Sequence, residues 1–247
     1  ILDSGAFSFM LDKNKTVDWN EYIIKYANFI NENNIELFIE LDIDAVIGVK
    51  ETTKLRHKLI DLTGKKPIWV LQQGRSLEDF KTSLKEYKYV ALPLSGKTRL
   101  SRQRRTMINE INELCRLAHN ENCKIHGLGF TLIKGLDKYK FDSVDSTAWL
   151  YGNRGGYLYK FTGKNIIKID RPKNTRLKSK EAAINNFWEW VKYSEYLENY
   201  NLYQAGSNSR PYIFDDIGGD KNLSSCNQIG KKSIYLAGYN YKKDILC

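Results

Sequence analysis

Short apolar runs recur along the chain with longer amphipathic stretches between them. The runs at 1–2, 37–41, 68–71, 89–92, 124–126 and 141–144 are too short for helices and read as buried strands. Between the first two, Trp19, Tyr22, Ile23, Tyr26, Ala27 and Ile30 return every three or four positions, the stripe of an amphipathic helix. Met107, Ile108, Ile111, Leu114, Cys115 and Ala118 repeat the pattern, and Ser76 followed by Asp79 reads as a capping box. Alternating strands and helices predict a parallel sheet with right-handed crossovers, in a closed barrel or an open doubly wound form. Past residue 155 the pattern changes. Residues 157–161 and 165–169 flank Thr162-Gly163-Lys164 as a β-hairpin. A basic link through Arg171, Pro172, Lys173 and Arg176 then leads to a helix holding Ile184, Phe187, Trp188 and Val191. Residues 204–232 are rich in Gly, Asn, Ser and Asp and read as loop, and 233–237 reads as a late strand.

Polar groups collect where the apolar runs end. Leu2-Asp3-Ser4-Gly5-Ala6-Phe7, Leu41-Asp42-Ile43-Asp44, Leu71-Gln72-Gln73-Gly74-Arg75, His126-Gly127-Leu128-Gly129 and Asp142-Ser143-Val144-Asp145 each follow or close a run. In α/β folds that end of the sheet is where chemistry is placed. Asp3 and Asp145 are among the strand-end acids, and a pair of carboxylates can serve as nucleophile and as general acid/base at a glycosidic bond. The bland reading is that each aspartate caps the next helix, with Ser4, Gly5, Ser146 and Thr147 as ordinary turn residues.

Composition narrows the setting. With 247 residues, 42% of them apolar and 28% charged, the chain can bury a full core. No run approaches the roughly 18 apolar residues of a membrane span, so no membrane partner is expected. A net charge of +10 suits a polyanion. Lys97, Arg99, Arg102, Arg104 and Arg105 concentrate that charge at the start of a predicted helix, where cations oppose the helix dipole. A solvated helix end is the competing account. The four cysteines are isolated, as reduced thiols of a cytoplasmic protein would be, and no zinc site or cofactor is expected. His57 and His119 are expected at the surface.

In residue type and order, the strand-end segments over residues 1–155 resemble the queuine/archaeosine tRNA-guanine transglycosylase family, which exchanges guanine in a nucleic acid for a 7-deazaguanine. The resemblance implies a TIM-like (β/α)8 barrel over 1–170, incomplete or permuted at its N-terminus, with 171–247 as a helical and loop extension and 233–237 contributing a barrel strand. By the same resemblance Asp145 is the nucleophile and Asp3 the general acid/base. Asp42 and Gln73 read the guanine edge, and Phe7 and His126 cover its two faces. Gly127 and Leu94 complete the base pocket, and Gly127 with Gly129 lets backbone approach the ligand. Asp44 points the same way as Asp42 on a strand, so the choice between them rests on the resemblance alone.

Two departures from the family pattern matter. Leu92-Pro93-Leu94-Ser95 stands where tRNA enzymes carry a glycine pair offering an amide, and proline has none. The C-terminal C-x-C-x-x-C zinc motif is missing. These departures and Asp-Ser-Thr-Ala-Trp at 145–149 are closer to phage enzymes that place 7-deazaguanines in DNA. The expected function is therefore guanine exchange on DNA ahead of tRNA, with a free base such as 7-cyano-7-deazaguanine as co-substrate, in the cytoplasm of the host cell if phage-encoded. Lys97, Arg99, Arg102, Arg104, Arg105 and Arg154 would hold phosphates. The alternatives are the same reaction on tRNA and a catalytically silent nucleic-acid-binding partner subunit.

Overall fold

The computed structural model describes residues 1–6, 17–72, 74–93, 104–171, 178–205 and 233–236. The chain divides into two compact units, Ile1–Leu128 and Gly129–Cys247, rather than at residue 170. The hairpin and the long helix after it pack around the short helix that follows Asp145, forming one body with it.

In the first unit three helices, α1 (Trp19–Glu32), α2 (Asp44–Ile47) and α3 (Val49–Thr63), precede β1 (Trp69–Val70). Then come α4 (Leu77–Glu86), β2 (Tyr89–Pro93), α5 (Arg104–Asn120) and β3 (Lys124–Leu128). Parallel bridges Leu2↔Phe38 and Ile39↔Ile68 lead into the parallel pairs β1–β2 and β2–β3. Each strand segment therefore lies beside its neighbour in sequence. The described strand segments of this unit show no reversal of order.

Side-chain alternation gives the sheet two apolar faces. Phe38 joins Ile23, Tyr26, Ala27 and Ile30 of α1 and Leu55 and Leu59 of α3. Ile39, Ile68, Val70, Ala91 and Leu128 form a separate layer with Ile1 and Tyr89 against it. The predicted stripe of α1 is the buried one, and Asp18 caps the helix by accepting from the Asn20 and Glu21 amides. The Ser76–Asp79 capping box opens α4 as expected. Cys115 and Cys123 are buried and joined in no disulfide, and His57 and His119 are exposed.

In the second unit β4 (Ser143–Ser146) precedes α6 (Ala148–Gly155), the antiparallel hairpin β5 (Tyr157–Phe161) and β6 (Ile166–Asp170), and α7 (Ser179–Ala205). The late strand β7 (Ser233–Leu236) pairs in parallel with β4. Inward-facing residues of α7 are Ala182, Asn186, Trp190, Tyr193 and Leu197, whereas Ile184 and Trp188 are exposed. A polar residue sits inside because Asn186 Oδ1 accepts from the Tyr159 amide and Glu189 Oε2 from the Phe161 amide, sealing the outer edge of β5. No helix among the described residues is long and apolar enough to cross a membrane.

Candidate functional site

The sequence Asp3-Ser4-Gly5 turns away from the sheet just after Leu2 bridges Phe38. Gly5 has φ +69°, a conformation that disfavours any residue with a Cβ. Two tyrosines of α1 fix this strand end. Tyr22 Oη donates to the Ser4 carbonyl at 2.5 Å, and Tyr26 Oη donates to the Ile39 carbonyl at 3.0 Å. Burial pushes both phenols above their ordinary range and the Asp3 carboxylate adds to the rise, so they donate hydrogen bonds and do not ionise. Asp3 is exposed. It caps no described helix, since α1 is capped by Asp18.

Asp42 follows the next strand segment in the same unit. Its Oδ1 is buried with no hydrogen-bond partner. Burial first, then the charge of Asp3, push its carboxyl up to about 7, with Glu40 and Asp44 adding smaller repulsions. Asp42 and Asp3 are thus close enough to repel, and Asp42 carries an unsatisfied acceptor. A donor-rich edge such as guanine N1–H and its exocyclic amine would meet that acceptor.

The turn bearing Asp42 is braced by residues the sequence did not single out. Glu40 is fully buried and its carboxylate takes Arg75 at 2.6 Å and Arg56 at 3.3 Å, while Oε1 also accepts from the Val70 amide at 2.7 Å. Arg75 reaches Asp44 at 2.9 Å and stacks 4.7 Å from the Trp69 ring centroid. Gln72 Oε1 accepts from the Asp44 amide at 2.7 Å. Asp44 is therefore an ion-pair partner at the start of α2, which removes it as the base-reading acid. The sequence signal for this brace was Arg75 itself, the cation after the Gln-Gln-Gly turn.

In the second unit Asp145 lies within β4, one residue before its end, not beyond the strand. It is half-buried, and its Oδ1 accepts from the Gly129 amide. Gly129 has φ +67°, so its place in Gly127-Leu128-Gly129 is to aim an amide at this carboxylate. The cap of α6 is Thr147, whose side chain makes no capping hydrogen bond, so Asp145 is not the cap of that helix.

The other expected site residues fall differently. His126 is fully buried in β3 with its ring edge-on to Tyr89 at 6.5 Å, and Gly127 is buried beside it. Phe7, Gln73, Leu94, Lys97, Arg99 and Arg102 lie outside the described residues. Arg104 and Arg105 open α5 and Arg154 lies in α6, but their side chains are outside the description too. Among the described residues no group of three or more His, Cys, Asp or Glu side chains is arranged to hold a metal ion. Comparison with models of known protein families, with curated proteins and with solved structures gives no match to this chain.

Proposed function

We propose that the chain is a guanine transglycosylase that exchanges a guanine of DNA for a free 7-deazaguanine, on a barrel of the (β/α)8 type. The observation that supports it most is the Asp3–Asp42 pair at the strand ends of the first unit, with a buried, unpartnered Asp42 oxygen beside an exposed acid. In the reaction Asp145 attacks C1′, the C1′–N9 bond breaks, and its electron pair leaves with the base. Asp3 gives that nitrogen its proton, then takes the proton of the incoming base as that base displaces Asp145 from C1′. Asp42, with Gln73, reads the guanine edge, Phe7 covers one face of the ring, and the backbone at Gly127 and Leu94 closes the pocket; His126, fully buried against Tyr89, does not offer a face to the ring. Lys97, Arg99, Arg102, Arg104, Arg105 and Arg154 hold phosphates. The target base is flipped from the helix to reach this chemistry.

The deciding experiment incubates the protein with duplex DNA or tRNA and radiolabelled guanine or a 7-deazaguanine. Incorporated label and denaturation-resistant adducts are then followed. The expected result is label in DNA, an adduct lost in Asp145→Asn, and exchange lost in Asp3→Asn. Label in tRNA alone moves the substrate to tRNA. Tight polymer binding without exchange or adduct identifies a silent binding subunit and ends the enzymatic reading.

A further inference from the structure

The β5–β6 hairpin has one face committed to the core and one on which Ile167 and Ile169 are exposed among the described residues. On the committed face Tyr159 and Ile166 are buried, with Tyr159 5.5 Å from Trp190 and Phe161 6.0 Å from Tyr193, ring centroid to ring centroid. Register places Leu158 opposite Ile169 and Lys160 opposite Ile167 on the other face. There Ile167 is 37% and Ile169 42% exposed. Around this ribbon Lys160, Lys164, Lys168 and Arg171 are all exposed, with Asp170 the one acid in the same stretch. None of the four forms an ion pair within 4 Å among the described residues, whereas Lys178 and Lys192 on α7 are matched to Glu181 and Glu189. Lys168 lies on the committed face with its Nζ 4.7 Å from the Tyr157 ring centroid, and the charge of Lys160 helps lower the Glu189 carboxyl, so Lys160 and the tip residue Lys164 are the lysines that border the Ile167–Ile169 face.

We infer that this hairpin is a ribbon that enters a groove of B-form DNA, its lysines on the flanking phosphates and Ile167 and Ile169 against base edges. The major groove of B-DNA admits a two-stranded ribbon, and thymine methyls and opened base steps accept aliphatic side chains. The major groove of an A-form RNA helix is too deep and narrow for one. The lysines and arginine fit a polyanion, which an uncharged protein partner would not satisfy. The hairpin is also tied to the segment that carries Asp145. Tyr159 Oη donates to the Ala148 carbonyl at 3.0 Å, at the first residue of α6, so a duplex held on the ribbon is held in register with that aspartate. The inference rests on the transglycosylase reading only for the choice of polymer.

The test measures binding of a fluorescent DNA duplex, the same sequence as duplex RNA, and phosphatidylserine vesicles across a salt series. The full chain is compared with Lys164→Glu at the hairpin tip and with Lys160→Ala/Lys164→Ala/Lys168→Ala/Arg171→Ala. The expected result is DNA bound more tightly than RNA or vesicles, weakened roughly tenfold or more by the quadruple change, with the log–log salt slope reduced by about one per cation removed. Lys164→Glu, at an exposed turn, is expected to weaken DNA binding without changing the melting temperature. Unchanged DNA affinity in both variants overturns the inference while exchange activity stands. Equal loss on RNA, or tighter binding to vesicles that both variants lose, overturns it too. Loss of exchange on every polymer by the unaltered protein, with hairpin-dependent DNA binding retained, sinks the enzymatic reading and leaves the ribbon.

Discussion

Asp42 is the residue on which stability and recognition oppose each other. Its folded-state carboxyl sits near about 7 against an ordinary 3.8, because burial and Asp3 disfavour its charge. Between about pH 4 and 7 the folded chain keeps a proton that the unfolded chain has released. The contribution is therefore full below about pH 4, declines through that window, and is gone above about 7. Asp42→Asn should remove the decline, leaving the variant more stable than the parent at pH 8 by on the order of 2 kcal/mol and little changed below about pH 4, by urea melts at both pH values. On the proposed reading it is the ionised form that binds guanine, so affinity of the parent for the free base should rise about tenfold per pH unit up to near 7 and then level, which calorimetric titration would show. Arg75 behaves differently: it bridges two buried acids, so Arg75→Leu strands Glu40 and Asp44 and should cost about 3–5 kcal/mol in the same melts. The strand-end position of Asp3 and Asp42 was legible because apolar runs stop there. Which acid was structural was not, since Asp44 and Asp42 differ only in which of them Arg75 reaches.

At the level of elements, the hairpin and its helix show how polar residues can define a core. Gly152 of α6 lies so close to the hairpin that an added Cβ would stand 2.8 Å from the Tyr157 carbonyl and collide with the Asn186 amide. That amide group is the one whose oxygen closes the β5 edge. Gly152→Ala should accordingly destabilise the second unit by about 1–3 kcal/mol and speed hydrogen exchange at the Tyr159 amide, although alanine is the better helix former. Exchange at Tyr159 as slow as in the parent would mean the edge does not depend on this approach. The hairpin, α1, α4 and the parallel strand–helix alternation were all readable from period and turn chemistry. Strand limits were not. The run at 37–41 forms only isolated bridges, at Phe38 and Ile39, with the Glu40 amide donating to the Ile68 carbonyl at its end, and the run at 141–144 gives a strand displaced to Ser143–Ser146 that takes Asp145 into the sheet. The inward face of α7 was hidden for a related reason. Hydrophobic spacing pointed at Ile184 and Trp188, while the helix turns Asn186 and Glu189 toward a strand edge that one-dimensional patterning cannot reveal.

On the proposed reading, the excess of 39 lysines and arginines over 29 acids acts at long range, on encounter with the polymer, and not on the bond being broken. Each phosphate contact releases condensed counterions, so the observed affinity for duplex DNA should fall with a log–log slope of about −0.9 per contact as salt is raised. On that reading the chemical step takes place on a polymer already bound, between a carboxylate and a sugar in direct contact, a separation far below the Debye length that salt screens little. In a salt series under steady-state exchange, KM for DNA should therefore climb steeply while kcat stays level within about twofold. KM for the free 7-deazaguanine, an uncharged co-substrate, should hardly move. A kcat that falls in parallel with affinity would place the cations at the reacting sugar instead, where neutralising a phosphate stabilises the transition state more than the ground state.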